Sequence, residues 1–231
     1  MKQAQNVEEV CERAGLTLPQ LCTILSKEAM NVKLFCLSDA EHEEYHGLFQ
    51  TFENARNSST GAKGAALEKL ASFLMEKIAI YKTLRNCRTS TNEIDVLLIK
   101  KFELSSVGGE KFPQYMICEC KNYKSAVSVT YVGKFYSLLK VSGVKLGLII
   151  SDSKISGRSK WSDGRGLCRK VALKDDVYIV NISFDDLKRI DEENVSILKI
   201  IDDKINEMKL DIEISYKEHE LIGNAGFTAI P

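Results

Sequence analysis

The chemistry of this chain centres on Glu119 and Lys121, two charged residues inside the apolar run ICECKNYKSA at 117–126. In an extended strand successive side chains alternate faces, so Glu119 and Lys121 point together while Cys118 and Cys120 point away. A charge in a buried strand is costly unless it is paired or bound to metal. Upstream, NEIDVLLI puts Asp95 in a second apolar strand, and Glu68 lies at the edge of a helical apolar stripe. Two carboxylates on adjacent strands can share one hard cation, because Mg2+ takes oxygen ligands and keeps several waters. Such a cation lowers the pKa of a bound water and polarises a phosphate oxygen. A lysine beside it orients the attacking water and offsets the charge that grows on the phosphate. The plainer use of the same residues is a structural Glu119–Lys121 salt bridge on an edge strand.

The elements that must position these side chains follow from periodicity. NSSTGAKGAALEKLASFLMEKIAI reads as a long helix after a Ser/Thr/Gly loop, with Leu67, Leu70, Phe73, Leu74 and Ile78 as its stripe. CRTSTNEIDVLLIKKFEL and QYMICECK read as strands around the turn GGEKFP. SVTYVGKFYSLLKVSG is helical, with Val132, Phe135, Leu138 and Leu139 on one face and Gly143 ending it. VKLGLIIS is wholly apolar, as a strand covered by helices on both faces would be. A helix around GLCRKVALK, the strand VYIVNI, a Ser-capped turn at SFDDLKRI and a terminal helix in EENVSILKIIDDKINEMKL follow. The order is helix, two or three antiparallel strands, helix, strand, helix, strand, then helices.

Residues 1–60 read as a helical arm or subdomain. AGLTLPQLCTIL has the look of a DNA-binding helix–turn–helix, but the segment is acidic and a recognition helix should be basic. Ser38 and Asp39 are cap candidates for a helix that carries His42 and His46. Their i, i+4 spacing would set two metal ligands on one face, and exposed polar residues are the plainer reading.

The 231 residues allow one large domain, or one domain with an appendage. Seven cysteines without a regular framework, two of them separated by one residue, read as reduced and mostly buried. Neither a signal core nor a membrane span is evident, so a cytoplasmic protein is expected. The net charge of zero hides an asymmetry: residues 121–174 hold twelve basic and two acidic residues, and residues 175–231 hold six and fourteen. Such a basic block suits a polyanion. Lys124, Lys134, Lys140, Arg158, Lys160, Arg165 and Arg169 are its candidate phosphate contacts, with Tyr136 and Trp161 as aromatics that stack on bases or pack.

EIDVLL followed by ICECKNY resembles the PD-(D/E)xK nuclease superfamily, nearest to its Mrr-like, type IV restriction endonuclease branch. The resemblance covers about residues 61–190, through GAALEKLASFL, NEIDVLLI, ECKNYKSAVSVTYVGKFYSLL and GVKLGLIIS. It implies an α/β fold with a restriction-endonuclease-like central mixed sheet flanked by helices. By motif position, Asp95 and Glu119 would bind a divalent metal and Lys121 would be catalytic. Glu68 would bind a second metal, hold a metal-bound water or orient the lysine. Ile94 stands where the motif has its proline, which has no chemistry of its own, and Glu119 stands where the branch often has Gln. The organisation that follows is a helical arm at 1–60, a catalytic domain at 61–190 and a C-terminal helix and tail at 191–231.

The implied activity is hydrolysis of DNA phosphodiesters with Mg2+, for which Mn2+ would substitute, in restriction or anti-phage defence. The alternative is a nucleic-acid-binding or assembly module of a larger defence or repair complex, with partners at the acidic helical ends. The apolar stripe of the terminal helix would either build a homodimer or dock back on the core. SDGRGLCRK lacks the spacing of an NTPase phosphate loop, so an ATP-driven step would need a partner.

Overall fold

The computed structural model describes residues 36–88, 93–102, 112–122, 125–157 and 163–210, with positions 13, 15–17 and 20. Five strands form one sheet in sequence order: β1 (Tyr81–Arg88), β2 (Glu93–Lys100), β3 (Tyr115–Lys121), β4 (Leu146–Ser151) and β5 (Tyr178–Ile182). The first two pairings are antiparallel and the last two parallel. The sheet is therefore mixed, and β3, which carries Glu119 and Lys121, is its central strand rather than an edge. Six described helices flank it: α1 (Asp39–Ala55), α2 (Thr60–Glu76), α3 (Val129–Ser142), α4 (Gly164–Asp175), α5 (Phe184–Glu193) and α6 (Ile197–Leu210).

The alternation of strand side chains divides the interior in two. Met116 and Cys118 of β3, Leu146, Leu148 and Ile150 of β4, and Val180 and Ile182 of β5 pack with the buried faces of α1, α2, α5 and α6. Ile117, Ile149 and Ile179 point the other way, onto Val132, Phe135 and Leu139 of α3 and Cys168 and Val171 of α4. Every residue of β4 is buried, as expected of a parallel strand covered on both faces. Gly147 lets α3 close on the sheet: a Cβ there would lie 2.6 Å from both Leu139 Cδ1 and Phe135 Cε1.

Local signals set the element ends. Ser38 caps α1 in a capping box with Glu41, Ser128 caps α3, and Gly143 ends α3 with φ of 66°. β1 is a full strand that the sequence reading ran into its neighbours; α2 stops at Glu76, and Ile78 and Ile80 enter the core from the connection that follows. The last helical stretch breaks in two at Asn194, which takes a left-handed conformation at the end of α5.

α1 and α6 both contribute to the core of the sheet. Tyr45, Phe49 and Phe52 of α1 and Ile197, Leu198, Ile200, Ile201 and Ile205 of α6 lie in the same cluster as Met116 and Leu148. The apolar stripe of the terminal helix is thus used within the chain. HEEYH at 42–46 has the H-E-x-x-H spacing of a zinc-binding helix. The structure turns both histidines to α5 instead: His42 Nε2 lies 3.0 Å from the Ile190 carbonyl oxygen, and His46 Nδ1 lies 2.9 Å from Asp191 Oδ1. Among the described residues no helix is long and apolar enough to cross a membrane.

Candidate active site

The site forms where two antiparallel strands part. The β2–β3 ladder runs from Ile99–Tyr115 to Val96–Cys118 and ends there, one residue short of Asp95. Asp95 then takes the role of a ladder carbonyl: its Oδ2 accepts the Cys120 N–H at 2.8 Å. On the other side of β2, Asn86 of β1 lies opposite Asp95 and has φ of 49°, a conformation rare for a residue with a side chain. Ile94 and Val96, two residues apart, should share a face, yet Ile94 joins the cluster on the α3 side and Val96 that on the α2 side. β2 changes face at Asp95 with the register unbroken, since Arg85–Val96 and Cys87–Ile94 remain partners on either side.

Glu119 shares its face with Ile117 and so projects toward α3. It is only 7% exposed. Its Oε2 accepts two donors, Lys121 Nζ at 3.2 Å and the Tyr131 hydroxyl at 2.9 Å. Lys121 Nζ also lies 4.8 Å from the centroid of the Tyr131 ring. Burial, and after it the neighbouring Asp95 carboxylate, push the Glu119 pKa upward; Lys121 and Tyr131 oppose that rise. Tyr131, in the first turn of α3, went unassigned in the sequence reading. The available signal was its place directly after the Ser128 cap of the helix that follows the ECK segment.

This arrangement suits a hard cation. Asp95 and Glu119 each have one oxygen committed to protein donors and one with no partner recorded among the described residues. Mg2+ is ordinarily held by one or two carboxylates, with waters and substrate phosphate completing its shell. Among the described residues no three His, Cys, Asp or Glu side chains converge on one point. Glu68 in particular is exposed on α2, and α2 packs on the face of β3 opposite to Glu119 and Lys121. Asn122 ties that helix to the site: its Nδ2 donates to the Thr60 carbonyl at 2.6 Å, and a Cβ at Gly64 would lie 2.7 Å from it. Glu68 is one helical turn beyond Gly64 on the same helix.

The basic candidates are scattered about this centre. Lys134 is exposed on α3 and lines a shallow groove of about 290 Å3 with Ser125, Ser128, Thr130 and Tyr131. Arg165 and Arg169 line a separate hollow of about 420 Å3 between α4, β5 and α6. Lys140 pairs with Asp175 at 3.3 Å, and Tyr136 donates to the same carboxylate at 2.6 Å. Tyr136 therefore joins α3 to α4. Lys124, Arg158, Lys160 and Trp161 lie outside the described residues.

A second charged cluster sits just past β4, whose last residue Ser151 is in register with Lys121. Lys63 of α2, only 2% exposed, places Nζ 2.5 Å from Asp152 Oδ2. Arg56 Nε lies 2.7 Å from Oδ1, close enough for an ion pair though not aligned as a hydrogen bond. The Arg56 guanidinium also stacks 3.8 Å from the centroid of the Phe184 ring. The sequence reading left Lys63 unassigned, although it stands one helical turn before Leu67 and two before Leu70, on the stripe that the helix buries.

A restriction endonuclease family model, of the Mrr catalytic type, matches residues 61–181. The match takes in α2, all five strands, α3 and α4, and with them Glu68, Asp95, Glu119 and Lys121. No curated protein and no solved structure gives a significant match to the chain.

Proposed function

The chain belongs to the Mrr-type restriction endonuclease family, and from that premise we propose that it is a divalent-metal-dependent DNA endonuclease of restriction or anti-phage defence. The observation that carries the reading is the pair Asp95 and Glu119. They stand beside Lys121 where β2 and β3 part, each with one carboxylate oxygen uncommitted among the described residues. Asp95 and Glu119 would hold Mg2+, for which Mn2+ would substitute. When bound, the ion would supply Lewis-acid polarisation of the phosphate and a more acidic water. The Cys120 N–H holds the Asp95 carboxylate in place. Lys121 Nζ is the mobile cation: it rests on Glu119 and moves toward the phosphate to offset the charge that develops there. Glu68 would hold a water or a second ion. Lys134 and Arg165, with Lys124, Arg158 and Lys160 of the same basic block, would engage flanking phosphates.

Single-turnover cleavage of plasmid DNA, modified and unmodified, tests this. Cleavage is expected with Mg2+ or Mn2+ and should stop with chelator. Asp95→Ala and Glu119→Ala should abolish both cleavage and calorimetric Mn2+ binding while the protein stays folded. Lys121→Ala should cut about a hundredfold more slowly or worse, the scale of losing one preorganised donor, with DNA affinity nearly unchanged. Unaltered Mn2+ binding in both carboxylate variants would remove the metal assignment.

A further inference from the structure

We propose that Tyr131 is a positioning residue that keeps Glu119 aligned when Lys121 leaves it for the substrate phosphate. The inference rests on the nuclease reading and extends it to a residue outside the acid–acid–lysine set. Its basis is that Lys121 and the Tyr131 hydroxyl share one acceptor, Glu119 Oε2, at 3.2 and 2.9 Å. A lysine that serves the phosphate cannot also stay on Glu119. Its departure would remove one of the two protein donors that Glu119, 7% exposed, has among the described residues. A buried carboxylate oxygen left without a donor turns to find one, and the ligand geometry of the other oxygen turns with it.

The Tyr131 hydroxyl prevents this because it comes from a different element and does not travel with Lys121. Tyr131 sits in the first turn of α3, where its N–H is capped by Ser128 Oγ at 3.3 Å. The helix is anchored one residue on by Val132, and further along by Phe135 and Leu139, all buried against the sheet. The donor is thus fixed to the core, while Lys121 is a long, partly exposed side chain. The ring does a second job. Its face lies 4.8 Å from Lys121 Nζ, so the ammonium keeps a favourable contact that is independent of Glu119. Hydroxyl and ring together let Glu119 and Lys121 separate without either being left bare.

Tyr131→Phe removes the hydroxyl alone, and Tyr131→Leu removes both hydroxyl and aromatic face. In the full chain carrying Lys121→Ala, where Glu119 has no lysine to hold it, adding Tyr131→Phe should weaken calorimetric Mn2+ binding about tenfold, the lower end of what losing the partner of a metal ligand costs. The melting temperature of Tyr131→Phe alone should stay near that of the wild type. At saturating Mn2+, Tyr131→Leu should cut more slowly than Tyr131→Phe in single turnover. That extra loss should vanish in a Lys121→Ala background, because the ring acts through the lysine. Mn2+ affinity that Tyr131→Phe leaves unchanged in the Lys121→Ala background, or a collapse of the Tyr131→Phe melting temperature, would overturn the positioning role and leave the nuclease reading standing. A wild-type protein that neither binds Mn2+ nor cuts DNA would overturn both.

Discussion

Glu119 concentrates the energetic tension of this molecule. It is buried beside a second carboxylate, and its pKa is raised first by desolvation and then by Asp95. Between its ordinary value and its raised folded value, Glu119 binds more protons folded than unfolded. Stability must therefore fall as pH rises through that window, opposite in sign to an ordinary salt-bridged carboxylate. Glu119→Gln removes the penalty. Relative to wild type, the glutamine variant is expected to gain stability as pH rises above the ordinary glutamate value. Urea unfolding without metal, at several pH values across that window, checks this. Parallel pH profiles for the two proteins would mean that Glu119 ionises without cost. Adding Mn2+ should stabilise wild type at neutral pH by mass action and leave the glutamine variant little changed.

Between elements, the connection that most constrains the site is that of α2 to the end of β4 through Lys63 and Asp152. Breaking a buried pair on one side leaves an uncompensated charge and costs about 3–5 kcal/mol. Arg56 remains on Asp152, so Lys63→Met is expected at the lower end, about 3 kcal/mol. Lys63→Met with Asp152→Asn should recover most of the loss, since an isosteric apolar and amide pair carries no stranded charge. Denaturant midpoints of the two single variants and the double variant decide this. Additive losses would show that the pair is not coupled.

Across the molecule, the basic stretch 121–174 and the acidic stretch 175–231 lie next to each other in sequence. If the basic block carries the DNA, replacing Lys134, Arg158 and Lys160 together should reduce the slope of log affinity against log salt by about 3. Filter binding over a salt series measures it. An unchanged slope would move the DNA contacts elsewhere. The N-terminal region requires a different test, because α1 is part of the main core. Tyr45, Phe49 and Phe52 are almost wholly buried, and each large aromatic is worth about 3–5 kcal/mol when truncated. Their sum, about 9–15 kcal/mol, is as large as the whole stability of a typical domain, about 5–15 kcal/mol. Deleting residues 1–60 is therefore expected to abolish cooperative thermal unfolding by circular dichroism, and a sharp melt at the wild-type temperature would contradict it.

The amino-acid order by itself carried the succession of strands and helices, the faces of β3 and the choice of Asp95, Glu119 and Lys121 as candidates. These rest on local rules: a two-residue alternation, apolar runs framing each charge, and Ser and Gly at helix ends. It also carried the resemblance that the family match bears out. Three things needed the tertiary structure. The change of face of β2 at Asp95 goes with a left-handed Asn86 in the neighbouring strand, which no pattern within β2 reveals. The pairing of Tyr131 with Glu119 joins a helix to a strand twelve residues away, and an aromatic in an amphipathic helix looks the same in sequence whether it packs or donates. The fates of the HEEYH histidines and of the terminal stripe were decided at long range too, as α1 docks on α5 and α6 docks on the sheet. Periodicity states that a face will be buried, and only chain closure chooses what buries it.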